Sequence, residues 1–337
     1  MRVLIPWPTT IQLIEKAAST LLPRHTITVF PLVERLGAYG GSYAGIKRKL
    51  PPELASVGYD VAFLDSLTPD QARGEYDLLI DSWETRHYYP EWRERCLDWQ
   101  MPRLIKVLWK TQPETDTAAL DLFHRSAIST EAPSNTARWS AALDAPVTTL
   151  LYYPGDWWFD TPWRGVDARL LFVLTNLKSR QRINAHVKAG YTLFRSLQKQ
   201  GLPGYHYDGH GGARLPPLEM ARRLAQFRAY ANLDLASSTR SLCLVFFEMM
   251  ALGVPTLVID RPQLDYWRYV EDGVDGYRCA DWHELLARAR QVLGSTTLAR
   301  RLSDARKERA REVLDKDKLL AQWEAVFDVA VQRHKGG

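Results

Sequence analysis

The stretch Ser241–Pro255, SLCLVFFEMMALGVP, decides the fold. It follows a polar loop and contains an apolar run with helical character. Gly253 is expected to end this helix, and Pro255 is expected to begin a strand. Glu248 is the single acid in this run, and a carboxylate in an apolar helix is costly unless a partner satisfies it. The two hydroxyls of a ribose can be that partner, and free backbone N–H groups at the helix start can hold a diphosphate. The alternative is a core helix whose Glu248 pairs with an arginine, and the residues alone leave both interpretations open.

On either side of this stretch, short apolar runs alternate with segments of helical periodicity. This order predicts parallel sheets covered by helices on both faces. The predicted strands are Arg2–Pro6, Ile27–Phe30, Val61–Leu64, Leu78–Ile80, Leu104–Trp109, Leu170–Leu174, Tyr205–Tyr207 and Thr256–Ile259. The predicted helices include Ile11–Leu22, His186–Leu197, Glu219–Phe227 and Leu244–Ala251.

The segment Tyr152–Arg164, YYPGDWWFDTPWR, interrupts this alternation with proline, aromatic residues and turn formers. A chain of 337 residues exceeds the size at which a single hydrophobic core stops growing. We therefore expect two Rossmann-like domains, residues 1–155 and 156–337, which face each other across a cleft. Ligands of such sheets bind at the carboxyl ends of the strands.

The composition is that of a globular protein, with 46% hydrophobic and 25% charged residues. No apolar run reaches the ~18 residues of a membrane span, and the start, MRVLIPWPTT, is typical of a buried strand and not of a signal peptide. We therefore expect a cytoplasmic protein. The three cysteines have no CxxC spacing, which argues against a disulfide framework. The net charge of +5 is compatible with a nucleic-acid partner.

The deciding stretch resembles the signature E-x-F-G-L-x-x-L-E-A-M-A-x-G-x-P of the retaining glycosyltransferases of group 1 (family 4). The positions of this signature are occupied by Leu242, Cys243, Leu244, Phe247, Glu248, Met250, Ala251, Gly253 and Pro255. Val270–Tyr277, VEDGVDGY, is similar to the family's I-x-D-G-x-N-G-F turn, and LLAQWEAVFDVA is similar to its closing helix. The resemblance covers about residues 170–330. It implies the GT-B fold, with two Rossmann-like domains and a C-terminal helix that returns to the N-terminal domain.

The resemblance also implies a donor site in the second half of the chain. Lys178, Arg180 and Arg182 follow the strand LLFVL, where the family's cations neutralise the diphosphate leaving group as it gains charge. The alternative is a solvated basic loop. The other donor-binding residues implied are Arg240, Ser241, Leu242, Cys243, Leu244 and Glu248. Arg240 stands where the family has a sugar-binding Glu, and Cys243 stands where it has Gly.

For the first domain the resemblance implies a catalytic residue in the segment Asp81–His87, which follows the strand LLI, namely Asp81 or His87. The implied reaction moves a hexose from a nucleoside-diphosphate sugar, of UDP-glucose type, to an acceptor hydroxyl with retention. The leaving phosphate can take the acceptor proton, so no strong base is expected. No metal and no cofactor besides the UDP-sugar or other NDP-sugar donor is expected either.

The sequence leaves three hypotheses open, two that differ in the acceptor and one without catalysis. The family's usual acceptor is a glycan or lipid precursor. A hydroxymethylated DNA base is the second, as in viral DNA-modifying glycosyltransferases that flip the base out of the duplex; the basic charge and the aromatic residues favour it. The third is a non-catalytic nucleotide-sugar-binding protein, which Arg240 in place of Glu favours.

Overall fold

The computed structural model describes residues 1–7, 21, 24–31, 60–61, 68–82, 99–107, 123–143, 145–151, 153–173, 185–207, 217–233, 244–261 and 265–336. The chain divides into two compact units. The first unit comprises Met1–Tyr153 and Lys316–Gly337, and the second comprises Pro154–Asp315. The sequence analysis placed the boundary at residue 155 and assigned 316–337 to the second domain. The difference at the C-terminus has a physical reason, which is the packing of the last helix described below.

Parallel strands build a central sheet in each unit, as predicted. The described strands of the first unit are β1 Arg2–Trp7, β2 Thr26–Pro31, β3 Asp60–Val61, β4 Leu78–Ser82, β5 Arg103–Val107, β6 Ala127–Thr130 and β7 Val147–Thr149. Those of the second unit are β8 Asp167–Val173, β9 Gly204–Tyr207, β10 Phe227–Asn232, β11 Thr256–Ile259 and β12 Gly276–Cys279. The sheet orders are β3-β2-β1-β4-β5-β6-β7 and β12-β11-β10-β8-β9.

Helices connect and cover these strands. In chain order the described helices are α1 Pro69–Glu75, α2 Pro133–Leu143, α3 Asp156–Asp160, α4 Ala185–Lys199, α5 Pro217–Leu224, α6 Leu244–Leu252, α7 Trp282–Gly294, α8 Thr296–Val313 and α9 Lys316–Gly336. A 3-10 helix, Asp265–Tyr269, lies between β11 and β12. Within the described ranges, no helix is long and apolar enough to cross a membrane.

Local capping fixes several helix ends. Thr68 and Gln71 form a capping box at the start of α1, and the Asp281 carboxylate accepts two backbone N–H groups at the start of α7. At the end of α6, Gly253 has a φ of 75°, and the N–H of Val254 donates to the carbonyl of Met249. This is a Schellman cap, and it confirms the predicted stop of that helix.

The last helix, α9, packs on the sheet of the first unit. Trp323 of α9 is buried, and its Nε1 donates to the Leu151 carbonyl at 2.9 Å. Its indole ring also lies 5.2 Å from the Nζ of Lys106, a buried residue of β5. The chain thus returns to the first unit, as the resemblance implied.

Some elements were not predicted or were placed wrongly. The helix predicted for Glu219–Phe227 ends at Leu224, and Phe227 is the first residue of β10. The strands β6, β7, β10 and β12 and the helix α2 were absent from the predicted series. In the first unit, α2 covers a core cluster made of Ile105, Val107, Phe123, Ile128, Trp139, Leu143 and Ala145.

Candidate functional site

The sheet of the second unit has a topological switch point between β8 and β10. From β8 the chain moves outward on one side to β9, and then crosses to β10 on the other side. The two neighbours are parallel, with Leu171 paired to Tyr230, so their carboxyl ends lie at the same edge. Ligands of open α/β sheets bind outside this edge at the switch point.

The predicted donor residues follow these two strands. The segment 174–184 follows β8 and carries Lys178, Arg180 and Arg182, while the segment 234–243 follows β10 and carries Arg240 to Cys243. Both segments lie outside the described residues, so these assignments stay predictions. The strands that precede the two segments end at the same edge of the sheet, and the diphosphate is expected at this edge.

Helix α6 connects β10 to β11 and carries the predicted ribose acceptor. Leu244 is its first residue and Glu248 lies in its second turn. Glu248 is 9% exposed, and its neighbours in sequence, Phe247 and Met249, are buried. A hydrogen bond to a buried carboxylate is stronger than one in water, because burial reduces the screening by solvent.

A close backbone approach holds α4 against the end of β10. A Cβ placed on Gly190 of α4 would lie 2.4 Å from the carbonyl oxygen of Leu233, directly after β10. Only glycine allows this approach. Gly190 therefore fixes the position of α4 relative to the residue that follows β10.

The Gly190→Ala variant is expected to lower the free energy of unfolding by about 1–3 kcal/mol, the usual cost of overpacking. The added methyl group meets backbone, which cannot rotate away. Gly294→Ala is the matched control, because a Cβ there meets nothing within 4 Å; it should be neutral or gain up to about 1 kcal/mol from helix propensity. Urea unfolding of both variants measures the difference, and equal stability of the two would contradict the close approach.

In the first unit the switch point lies between β1 and β4. Asp81 lies near the carboxyl end of β4, paired in register with Ile105 of β5. Its side chain has no exposed surface. His87 lies outside the described residues. The predicted catalytic role of both residues stays a prediction.

Polar side chains that the sequence analysis did not single out lie at the carboxyl ends of β6 and β7. The hydroxyl groups of Thr130 and Thr149 are each hydrogen-bonded to that of Thr136, at 2.6 and 2.7 Å. Glu131 is buried next to Thr130. Buried Lys106 of β5 donates to the Leu150 carbonyl at 3.3 Å. The sequence signal for Lys106 is the presence of a lysine within the apolar run LIKVLW.

A second unpredicted cluster follows β11 in the second unit. The Arg278 guanidinium donates to Asp260 at 2.6 Å and lies 5.2 Å from the ring centroid of Trp267. Arg268 lies 4.6 Å from the same ring. Within the described ranges, the buried indole Nε1 of Trp267 has no hydrogen-bond partner. The segment DRPQLDYWRY, rich in aromatic residues and arginine, is the sequence signal for this cluster.

Burial makes two ionisable groups near β12 inert at neutral pH. Desolvation, assisted by Glu284 and Asp272, raises the pKa of Cys279 to about 12. Desolvation, assisted by Asp265, raises the pKa of Tyr269 to about 12. The Cys279 thiol is therefore protonated and behaves as a buried small residue. In the part of the chain that the structure describes, no group of three or more His, Cys, Asp or Glu side chains could hold a metal ion.

Solved structures share this fold over nearly the whole chain. HepE of Anabaena, solved with UDP and glucose, superimposes with a TM-score of 0.65 at 14% identity, over 98% of this chain and 100% of HepE. A glycosyltransferase of Rickettsia africae gives 0.62 at 9% identity, over 98% of each chain. Sucrose-phosphate synthase of Thermosynechococcus elongatus gives 0.60 at 10% identity, over 97% of this chain and 98% of the synthase. No protein-family model and no curated protein sequence matches the chain. The chain has the GT-B fold, as expected from the resemblance.

Proposed function

We propose that the protein is a glycosyltransferase that moves a hexose from a nucleoside-diphosphate sugar to an acceptor hydroxyl. One observation carries the proposal. The segment with the expected diphosphate cations and the segment that begins the family signature follow, in sequence, the two strands at the switch point of the second sheet, and Glu248 lies in the second turn of α6. HepE, which has the same fold, was solved with UDP and with UDP-glucose. UDP-glucose is accordingly the proposed donor.

The proposed reaction breaks the bond between the sugar C1 and the phosphate oxygen. The nucleoside diphosphate leaves with the electron pair, the acceptor oxygen bonds to C1 on the same face, and the acceptor proton goes to the leaving phosphate. Lys178, Arg180 and Arg182 stabilise the charge that develops on this phosphate. Asp81 and His87 are the proposed catalytic residues of the first unit. Retention follows from attack on the face that the phosphate leaves.

Activity is tested by release of nucleoside diphosphate from UDP-, GDP- and ADP-sugars, in the presence and absence of acceptors. We expect UDP release from UDP-glucose to exceed that from the other donors. The anomeric configuration of the product, read by NMR, tests retention. Binding of nucleotide without turnover of any donor would favour a non-catalytic binding protein. Salt-sensitive binding to duplex DNA would favour the base of modified DNA as acceptor.

The role of Glu248 gives a sharper test of the site. A hydrogen bond from a ribose hydroxyl to a carboxylate contributes about 1.5–3 kcal/mol, so the wild-type protein should bind UDP about tenfold or more tightly than 2′-deoxy-UDP. Glu248→Gln should lose most of this preference, because a neutral amide oxygen is a weaker acceptor. Isothermal titration calorimetry measures both ligands.

Glu312→Gln is the matched control for this experiment. Glu312 lies exposed near the end of α8, so its substitution should leave both dissociation constants unchanged. An equal preference for UDP in the wild-type and Glu248→Gln proteins would remove Glu248 from the ribose site.

A further inference from the structure

A short segment between β11 and β12 encloses the turn of α6 that precedes Glu248. The ring of Tyr266 lies 5.0 Å from that of Phe246, and the ring of Tyr269 lies 5.4 Å from that of Phe247, between centroids. All of these contacts are within the second unit. The position of Glu248 therefore depends on how this segment is held.

One side chain from α8 holds both the segment and the helix. Arg306 is fully buried, with 0% exposure. Its Nη1 donates to Asp275 Oδ2 at 3.0 Å and to the carbonyl of Tyr269. The guanidinium carbon lies 4.9 Å from the ring centroid of Phe246. Arg306 thus connects three elements: the 3-10 helix, the turn after it and α6.

The far end of the segment is fixed as well. Asp275 Oδ1 accepts the backbone N–H of Glu271 at 2.7 Å, which closes the turn 271–275. A Cβ on Gly276 would lie 2.2 Å from the Thr256 carbonyl, so β12 begins in close contact with β11. The segment therefore cannot shift without breaking the contacts of Asp275.

Holding the segment with a buried charge costs desolvation free energy, because the Arg306 guanidinium has lost its contact with water. Burial lowers the pKa of Arg306, and Asp275 opposes that shift. Nε and Nη2 of Arg306 have no hydrogen-bond partner among the residues that the structure describes. Apolar side chains of similar volume often hold a core equally well or better. A buried ion pair differs from apolar side chains because its contacts are directional. These contacts are satisfied in one arrangement of the two elements, whereas apolar contacts allow the elements to slide past each other.

We propose that Arg306 is a positioning residue for the nucleotide site, which fixes the rotation of α6 and so the direction of the Glu248 carboxylate. This inference rests on the proposed function. A rotation of about 10° moves an atom at the ~5–6 Å outer radius of a helix by about 1 Å. A displacement of that size costs up to about 100-fold in a site that depends on geometry.

Two variants test the proposal, with UDP and 2′-deoxy-UDP as the probes. Arg306→Met removes the charged contacts at similar volume, and Phe246→Leu leaves the ion pair but removes the ring on which it packs. Each variant should weaken UDP binding about tenfold or more. Each should also reduce the preference for UDP over 2′-deoxy-UDP, because a displaced Glu248 carboxylate no longer accepts the hydrogen bond of the ribose 2′-hydroxyl. Calorimetry is carried out at a temperature where circular dichroism shows every variant to be folded.

Val292→Ala is the control for a general loss of stability. Val292 is buried in α7, and its truncation should lower the melting temperature but leave UDP binding and the preference unchanged. Wild-type affinity and preference in the folded Arg306→Met and Phe246→Leu proteins would overturn the proposal. If Arg306→Met does not fold, Phe246→Leu decides alone.

The same experiment separates this inference from the proposed function. If the wild-type protein binds no nucleotide, or if Glu248→Gln binds UDP as the wild type does, the proposed site is wrong. If Glu248→Gln loses the preference and both positioning variants keep it, only the role of Arg306 is wrong.

Discussion

The Asp275→Asn variant is expected to be about 3–5 kcal/mol less stable than the wild type, the usual cost of removing one partner of a buried ion pair. Asparagine has nearly the same shape and can still accept the Glu271 N–H that Asp275 Oδ1 accepts at 2.7 Å. The loss therefore reports the negative charge that compensates buried Arg306 at 3.0 Å and the partly exposed Arg309 at 3.7 Å. Because the side chains of Arg306 and Asp275 are almost completely buried, with 0% and 1% exposure, water cannot replace the missing carboxylate.

The double variant Asp275→Asn with Arg306→Met makes this prediction specific. Once the uncompensated charge is removed as well, we expect more than half of the loss to be recovered, and the two substitutions should be strongly non-additive. Hydrogen exchange of the α8 amides measures the stability of the second unit directly, which matters in a chain of two units. Additive effects of the two single substitutions would contradict the pairing.

The sequence predicted elements whose signals are local. Helix α6 was predicted at Leu244–Ala251 and spans Leu244–Leu252, because an apolar run ends on Gly253, whose positive φ suits glycine. β11 was predicted at its observed bounds, Thr256–Ile259, because a short apolar run after a proline is typical of a buried parallel strand. For both elements the decisive residues lie within the element or next to it.

Elements stabilised by distant contacts escaped prediction. β10, FRAYAN, contains Arg228, which looks incompatible with a strand in the centre of a sheet. The structure shows that its guanidinium donates to the carbonyls of Gly165 and Leu293, about 65 residues away on either side. The same contacts explain why the helix predicted here continued wrongly to Phe227. The helical pattern of the sequence gives no sign of β10, because that strand is stabilised by contacts with residues distant in sequence.

The residues of the candidate site also differ in whether the local sequence identifies them. Glu248 was identifiable because a single acid in an apolar helix is conspicuous. Arg306 was not, because it lies in an arginine-rich helix among exposed residues such as Arg301 and Arg311. Its burial is set by Asp275, which is 31 residues away in sequence. A positioning residue of this kind becomes visible only when the fold brings its partners together.

The largest effect on activity is expected from the combined Lys178→Ala and Arg182→Ala substitution. Both residues follow β8 in sequence, and β8 is one of the two strands at the switch point of the second sheet. We propose that they stabilise the leaving group as it gains charge. Removing one donor to such a charge costs about 100- to 1000-fold in kcat, so the double variant should lose at least that much. Stability should change by less than about 0.5 kcal/mol if the two residues are at the surface.

Lys188→Ala is the control for the loss of a nearby exposed charge. Lys188 lies exposed on α4, shortly after the same segment, and its loss changes the net charge without removing a proposed phosphate contact. We expect its kcat to stay within about twofold of the wild type, since exposed charges at a distance are screened by salt. The separate effects on kcat and on KM for UDP-glucose decide between the two roles. Removal of cations that act on the departing diphosphate lowers kcat and not only the affinity for the donor. A double variant with unchanged kcat and a raised KM would show instead that Lys178 and Arg182 bind the donor equally in the ground state and the transition state.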